Sequence, residues 1–345
     1  MKSGCIVLSK NMGNAFHEDV SALINELSIS RYAPSEMRVL SAQQLKHALN
    51  EFRTLYQVIF VIADERAEIG ADFKPMQAEG MYADGKTVVC VFPLANLEKC
   101  LQYLDTAQGV QYKSVTFKAV GASLAHVEKL LAQIEANAQG RVICRHARKY
   151  DEDILRIYYE STLPKDFTDW VLRVLAEGFG DTIYALSDIS LEEQVVFLLK
   201  LRGKRISVAE SFTGGGVGRR IVSVPGASEV YFEGLNTYNG QAKVNRLGVS
   251  QATLSQKGAV SKETAYEMVC GLLNTGNCDI AIATTGLAGP NGDEFGKPVG
   301  YCCIAVGTRE RISVYQYNFE GNRKEITEKA INYALSLAYK SLKEM

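Results

Sequence analysis

Ser211 is the first residue whose surroundings suggest chemistry. It follows a strand-like run at 205–209 and precedes the glycines at 214–216, so a strand should turn there into the start of a helix. The backbone N–H groups of a first helical turn can hold a phosphate or an oxyanion. A serine hydroxyl in the same space can act as a nucleophile. The alternative is structural, because serine is also a common N-cap and the glycines would then serve tight packing.

Tyr238 and Lys243 form a second candidate pair. They lie five positions apart, a spacing that would place them on different faces of one helix. We therefore predict that Tyr238 ends a strand, that Asn239 caps the next helix and that Lys243 lies in its first turn. The positive end of the helix dipole would lower the pKa of Lys243, and a neutral lysine can act as a general base. The alternative is a surface lysine beside a half-buried tyrosine.

Two further segments could bind a substrate. Thr285 and Gly286 follow a buried strand, and the hydroxyls and glycines that continue to Gly292 suit a loop that lines a ligand at strand carboxyl ends. Arg323 opens the last helix and could bind a phosphate through two hydrogen bonds. A plain turn and a solvated basic residue are the respective alternatives.

Composition and spacing exclude several chemistries. The four histidines all lie at or before position 146, so the second half of the chain cannot build a Ser-His-Asp triad of its own. The glycines after Ser211 match neither the dinucleotide fingerprint nor the Walker phosphate loop. The eight cysteines contain no C-x-x-C pair and no metal-ligand spacing. We therefore expect no metal and no cofactor.

The overall composition is that of an ordinary globular protein. The 345 residues include 38 Lys and Arg against 39 Asp and Glu, a formal net charge of −1, which gives no electrostatic reason to expect nucleic acid as a direct partner. The apolar run at 58–63 is far shorter than the roughly 20 residues of a membrane span, and the first ten residues lack a secretion signal pattern. We expect a cytoplasmic protein without a membrane segment, with reduced and buried thiols.

Alternating strands and helices must position these side chains. Strands are predicted at 4–8, 56–63, 86–92, 114–120, 154–159, 182–186, 205–209, 231–238, 279–285, 299–306 and 312–317. Helices are predicted at 20–27, 45–55, 94–104, 124–134, 166–175 and 191–201, up to 222 and 247, and at 261–273 and 325–342. Such alternation predicts open sheets covered by helices. The expectation is a multidomain α/β protein with an α/β domain at 1–140, a small β-α-β middle domain at 141–188 and a three-layer α/β domain at 189–345.

The order of these segments resembles the C-terminal domain of the CinA family, the competence/damage-inducible proteins. The resemblance rests on AESFTGG (209–215), VPGAS (224–228), TYNGQAK (237–243), LGV (247–249), GAVS (258–261), TTGLAGPNG (284–292), KPVG (297–300) and FEGNR (319–323). The resemblance covers the chain from about residue 190 to 345. In that family the domain is a nicotinamide-nucleotide amidohydrolase. The resemblance therefore implies deamidation of nicotinamide mononucleotide (NMN) and a homodimer formed through these domains.

The resemblance also implies roles for single residues. Ser211 would attack the nicotinamide carboxamide while Lys243 and Tyr238 manage the proton. The substrate-binding residues would be Thr213, Gly214 and Gly215, through backbone donors, with Thr285, Gly286 and Arg323, the last at the phosphate. Phe212 stands where the family usually has cysteine, which predicts an altered pocket shape with activity retained. The alternative is a non-catalytic module that binds a pyridine nucleotide.

The first half departs further from the family. Full-length members carry an N-terminal domain similar to molybdopterin-binding proteins, with ADP-ribose pyrophosphatase activity and a Gly-Gly-Leu-Gly-Pro-Thr loop after a central strand. Here the strand at 58–63 runs into Asp64-Glu65-Arg66-Ala67-Glu68, without that loop and without an acidic metal-binding pattern. We expect residues 1–140 to keep a shortened form of the fold without the pyrophosphatase. Residues 141–188 resemble the family's middle domain in pattern only.

Overall fold

The computed structural model describes residues 1–8, 14–63, 68–92 and 95–345. Of the segment 64–68, where the sequence differs from the family's glycine loop, residues 64–67 lie outside the described residues. The chain forms two compact units. One comprises Met1–Val115, Lys129–Ala147 and Leu155–Val174, and the other comprises Thr116–Glu128, Arg148–Ile154 and Leu175–Met345.

The first sheet has six strands. They are β1 (Ser3–Leu8), β2 (Glu36–Leu40), β3 (Val58–Ile62), β4 (Lys74–Pro75), β5 (Met81–Ala83) and β6 (Val88–Phe92). Their order is β2-β1-β3-β6-β5-β4, and the four long strands run parallel. The helices are α1 (Asn14–Ser28), α2 (Leu45–Leu55) and α3 (Leu97–Gln108). Strand β3 is buried throughout, because α1 and α3 pack on one face of the sheet and α2 on the other.

A second sheet has four strands. They are β7 (Tyr112–Val120), β8 (Val142–Lys149), β9 (Glu152–Glu160) and β10 (Ile183–Ala185), in the order β10-β7-β9-β8. Two helices, α4 (Leu124–Ala138) and α5 (Lys165–Phe179), belong to the same part of the chain. Strand β8 was not predicted, because its second half is a run of basic and polar residues that hides the apolar alternation. The predicted strands at 154–159 and 182–186 exist, but β7 lies between them in the sheet.

The third sheet carries the candidate chemistry. Its strands are β11 (Ile206–Glu210), β12 (Tyr231–Asn236), β13 (Ile280–Gly286), β14 (Tyr301–Gly307) and β15 (Ile312–Asn318), in the order β12-β11-β13-β14-β15. The first three strands run parallel, while β14 and β15 are antiparallel. Three adjacent parallel strands therefore end at one edge, which is where open α/β sheets bind ligands.

Helices cover both faces of this third sheet. They are α6 (Leu191–Leu201), α7 (Gly216–Val222), α8 (Gly240–Leu247), α9 (Gln251–Lys257), α10 (Lys262–Asn274) and α11 (Arg323–Glu344). On one face α6, α7 and α11 pack against Ile, Val and Cys side chains of the strands. On the other, α8 and α10 pack against a row of strand alanines. The predicted three-layer α/β arrangement is confirmed.

The remaining sequence expectations concern membranes and thiols. Among the described residues, none of the helices combines the length and the apolar content that crossing a bilayer requires. Seven of the eight cysteine side chains are buried, and Cys270 is partly exposed, which agrees with structural thiols.

Candidate active site

Ser211 sits directly after β11, at the carboxyl edge of the third sheet. Register pairs Glu210 with Thr284 on β13, and the Ser211 N–H continues this ladder by donating to the Thr284 carbonyl oxygen over 3.0 Å. The serine is only 7% exposed. The backbone then turns and begins α7 at Gly216. The predicted strand-to-helix turn at Ser211 is confirmed.

Lys243 approaches Ser211 from α8, the helix that follows the neighbouring strand β12. Asn239 caps α8 by accepting the Gln241 N–H at 2.8 Å, which places Lys243 in the first turn as predicted. Its side chain is completely buried. The Lys243 Nζ donates to Ser211 Oγ over 2.9 Å and to the Thr237 carbonyl oxygen over 2.5 Å. The structure therefore joins the predicted nucleophile and the predicted base in one hydrogen-bonded pair.

Burial gives Lys243 an unusual acidity. Loss of solvent around the ammonium group lowers the pKa of Lys243 from 10.5 to about 8, because an apolar environment disfavours the charged form. The direction agrees with the prediction, and burial is the cause of the lowered pKa of Lys243. With a pKa of about 8, roughly a tenth of the molecules carry a neutral amine at pH 7. A neutral amine at 2.9 Å from a hydroxyl can accept its proton.

The backbone of Tyr238 lies beside the Ser211–Lys243 pair, but its side chain points away from the pair. Its carbonyl oxygen lies 3.5 Å from Lys243 Nζ. Its side chain is 64% exposed, and its hydroxyl accepts a hydrogen bond from Arg323 Nη2 at 3.0 Å. The phenol hydroxyl is therefore engaged with Arg323 in this structure, and the role predicted for it beside Lys243 stays a prediction.

Arg323 connects two loops at the same edge. Besides its bond to Tyr238, its Nη1 donates to the Gly289 carbonyl oxygen at 2.6 Å. It is the first residue of α11 and follows the cap Asn322. The guanidinium is thus held at the rim of the site by neutral acceptors. Such acceptors can yield to a phosphate, which binds a guanidinium more strongly.

The predicted threonines have their hydroxyl groups engaged within the protein. Thr213 Oγ1 and Thr284 Oγ1 are 2.7 Å apart, and Thr285 Oγ1 donates to the Ala259 carbonyl oxygen at 2.7 Å. Thr285 is completely buried. A Cβ at Gly286 would lie 2.6 Å from Cys302 Cβ and 2.8 Å from the Phe212 ring. Thr285 and Gly286 are therefore packed inside the protein at the end of β13, and the substrate contacts expected of these two residues stay a prediction.

Phe212 occupies the core and not the pocket opening. It is 5% exposed and packs within the apolar cluster under α11, against the position of Gly286. The larger ring that replaces the family's usual cysteine is accommodated there. The change in pocket shape that the sequence predicts would therefore arise indirectly, through altered packing of the core around the Phe212 ring.

The glycine turn offers fewer free donors than predicted. Gly214 and Gly215 have φ values of 60° and 96°, a region that favours glycine. The Gly214 N–H donates to the Ser211 carbonyl oxygen, and the Gly215 N–H donates to the Glu210 carboxylate. Both N–H groups are thus used internally in this structure, and the substrate contacts expected of these two glycines stay a prediction. The Phe212 and Thr213 N–H groups have no acceptor in the part of the chain that the structure describes, and they follow the nucleophile, where an oxyanion hole is built.

Two residues near the site were missed by sequence reasoning. Thr237 is 1% exposed and supplies the carbonyl oxygen that holds Lys243. Glu210 is 2% exposed and binds the glycine turn. A carboxylate directly before the candidate nucleophile was the available signal. No group of three His, Cys, Asp or Glu side chains that could hold a metal ion occurs among the described residues.

Comparisons with known proteins find similarity to one family. The family model described as the CinA C-terminal domain matches residues 188–342. A CinA-like protein of Kosmotoga olearia is 35% identical over 245 residues, which are 70% of this chain and 59% of that protein. The chain spans about 60% of the length of the curated relatives it matches.

Solved structures are similar to part of the chain. A competence-damaged protein (CinA) superfamily protein from Klebsiella pneumoniae is 33% identical, with 45% of this chain and 97% of that chain covered and a TM-score of 0.44. A competence damage-inducible protein A from another Klebsiella pneumoniae strain is 35% identical, with 44% and 95% covered and a TM-score of 0.44. These names state a family and no reaction. The chain belongs to the CinA family.

Proposed function

We propose that this protein is an amidohydrolase that converts NMN to nicotinate mononucleotide and ammonia. The observation that carries the proposal is the 2.9 Å hydrogen bond between Ser211 Oγ and the fully buried Lys243 Nζ. A serine activated by a neutral lysine can cleave an amide without histidine or metal. This pairing supports the amide chemistry that the resemblance to the CinA C-terminal domain implies.

The proposed reaction has two halves. In the first, Lys243 accepts the Ser211 proton as Ser211 Oγ bonds to the carboxamide carbon, and the amide C–N bond then breaks. Lys243 returns the proton to the leaving nitrogen, which departs as ammonia. In the second, water attacks the acyl ester on Ser211, its proton passes through Lys243 to Ser211 Oγ, and nicotinate mononucleotide leaves. The Phe212 and Thr213 N–H groups would hold the oxyanion in both halves.

Substrate binding is proposed at the rim. Arg323 would exchange its bonds to Tyr238 Oη and the Gly289 carbonyl oxygen for bonds to the substrate phosphate. Tyr238 is exposed next to it and can then contact the ribose or pyridine. Thr213 and Thr285 fix the loops around the reacting carboxamide through their internal hydrogen bonds.

The proposal is tested by incubating the protein with NMN and measuring both ammonia and nicotinate mononucleotide. We expect equal amounts of the two products from wild type and none from Ser211→Ala. Ser255→Ala is the matched control, because its hydroxyl is exposed and bonds only to the Ala252 carbonyl oxygen. Absence of ammonia above the Ser211→Ala background would contradict the proposal. Saturable NMN binding without turnover would instead identify a non-catalytic pyridine-nucleotide-binding module.

A further inference from the structure

Glu210 places a carboxylate inside the turn that carries the nucleophile. It is the last residue of β11 and is 2% exposed. Its Oε2 accepts the N–H groups of Gly215 at 3.0 Å and Val217 at 3.1 Å, and its Oε1 accepts the Gly218 N–H at 2.8 Å. A carboxylate that accepts three backbone N–H groups is a strong, charge-assisted restraint on the chain.

The close fit around this carboxylate requires glycine nearby. A Cβ at Gly218 would lie 2.5 Å from Tyr231 Oη and 3.5 Å from Glu210 Oε1. Burial and the neighbouring carboxylates of Glu210 and Glu233 raise the pKa of Tyr231 to about 12. The Glu210 side chain is thus enclosed by the turn on one side and by β12 on the other.

The backbone of Glu210 links the same turn to the candidate base. Its carbonyl oxygen accepts the Thr237 N–H at 2.8 Å, and the Thr237 carbonyl oxygen accepts the bond from Lys243 Nζ. One residue therefore restrains the loop of the nucleophile through its side chain and the anchor of the base through its main chain. These bonds restrain the backbone on both sides of the Ser211–Lys243 pair.

We propose that Glu210 is a positioning residue that sets the distance between Ser211 and Lys243 by filling the glycine turn with an internal anion. The catalytic part of this inference rests on the proposed amidohydrolase function. A second consequence concerns the substrate. Because the N–H groups of the turn already hold a carboxylate, the turn does not receive the substrate phosphate, and the phosphate must be bound elsewhere, as at Arg323.

The test compares the full-length wild type with Glu210→Gln. Glutamine keeps the size of the side chain, but its NH2 group is a donor that faces a backbone N–H, so at least one of the three bonds is lost. We expect kcat for NMN to fall by about 10²-fold with KM little changed, because misplacement of a reacting group affects the chemical step. Amide hydrogen exchange at Gly215, Val217 and Gly218 should accelerate in the same variant.

The matched control is Glu229→Gln, which removes the same charge from an exposed ion pair with Lys200 and should leave kcat and exchange unchanged. If Glu210→Gln does not fold, Glu210→Asp is tested in its place. Aspartate keeps the negative charge, but its side chain is one methylene shorter. A folded Glu210→Gln protein with wild-type kcat would overturn the proposal. So would fast exchange of the three amides in wild type, a measurement that needs no variant.

A further measurement separates this proposal from the proposed function. An aryl sulfonyl fluoride labels an activated serine hydroxyl whatever the natural substrate, and labelling of Ser211 is followed by mass spectrometry. If wild type releases no ammonia from NMN, the amidohydrolase assignment fails. Slower Ser211 labelling in Glu210→Gln than in Glu229→Gln would still support the positioning role, and equal labelling would overturn it.

Discussion

Lys243 combines the two properties that a catalytic base requires, a nucleophile within hydrogen-bond distance and a lowered pKa. Burial alone lowers this pKa, so the amine becomes available without a second basic group beside it. The same burial has a cost, because a lysine that is charged at neutral pH is held away from water. Both consequences can be measured.

The rate of NMN hydrolysis should rise with pH through a midpoint near 8. The base is active only when neutral, so activity follows deprotonation of Lys243 and is lost as pH falls through its pKa.

Lys243→Arg should reduce kcat by at least about 10²-fold, since the guanidinium stays protonated. A kcat–pH profile checks both. Lys204→Arg, in an ion pair with Asp279, is the control, and a Lys243→Arg enzyme of wild-type activity would contradict the role.

Lys243→Met should stabilise the fold at pH 7. Below about pH 8 Lys243 is protonated in both states, and the folded state carries the burial penalty. From about pH 8 to 10.5 the unfolded state binds more protons, so wild-type stability rises with pH in this window. The lowered pKa of Lys243 corresponds to roughly 3 kcal/mol of lost stability in wild type at pH 7, which Lys243→Met removes. The variant in turn loses about 1 kcal/mol, because the Thr237 carbonyl oxygen is left unpaired. We expect a gain of about 2 kcal/mol in urea unfolding at pH 7; a less stable variant would refute this account.

At the scale of elements, the site depends on how closely α8 and α10 approach each other. A Cβ at Gly271 on α10 would lie 2.1 Å from the Leu247 carbonyl oxygen at the end of α8. The glycine therefore permits a contact that holds α8, and with it Lys243, against the edge of the sheet. Asn239 fixes the other end of α8 by capping it.

Gly271→Ala should push α8 away from α10. We expect a loss of about 1–3 kcal/mol in stability, as for overpacking, together with a reduced kcat, because Lys243 moves relative to Ser211. Gly240→Ala is the comparison, since its added Cβ would make an ordinary 3.6 Å contact with Leu254. Urea unfolding and NMN turnover of both variants measure the two effects. Equal stability of the two proteins would show that the close approach is unimportant.

At the scale of the whole molecule, charge and sheet architecture set the partners that can be expected. The near-neutral balance of 38 basic and 39 acidic residues provides no field to attract a polyanion. The carboxyl edge of the third sheet, in contrast, gathers the ends of three parallel strands, and open α/β sheets bind their ligands at such an edge. The homodimer that the family resemblance implies stays a prediction.

The protein should bind duplex DNA no more than weakly. Without excess positive charge it releases few counterions from DNA, so any association should be lost as salt is raised. Fluorescence anisotropy of a labelled duplex at low and at physiological salt measures this. Tight binding that survives physiological salt would contradict the expectation and would point to a local basic surface.

The pairing of Ser211 with Lys243 was predictable, but not the contacts around it. Strand-like apolar runs, glycines and the Asn239 cap are local signals, and they located the end of β11 to within one residue and the end of β12 to within two. The direction of the Tyr238 ring, the use of the Gly215 N–H by Glu210 and the burial of Phe212 depend on residues far apart in the chain. Strand β8 was missed because its basic second half hides its apolar alternation.

The sequence by itself determined most of the strands and helices, the three-layer class of the C-terminal part and the candidate pair of Ser211 and Lys243. These follow from local propensity, periodicity and residue chemistry, which act over a few neighbouring positions. Only the tertiary structure decided that Lys243 is buried against Ser211, and that Glu210 occupies the turn expected for the substrate. Burial and hydrogen-bond competition arise when separate segments pack, so they cannot be assigned until the chain has folded around them.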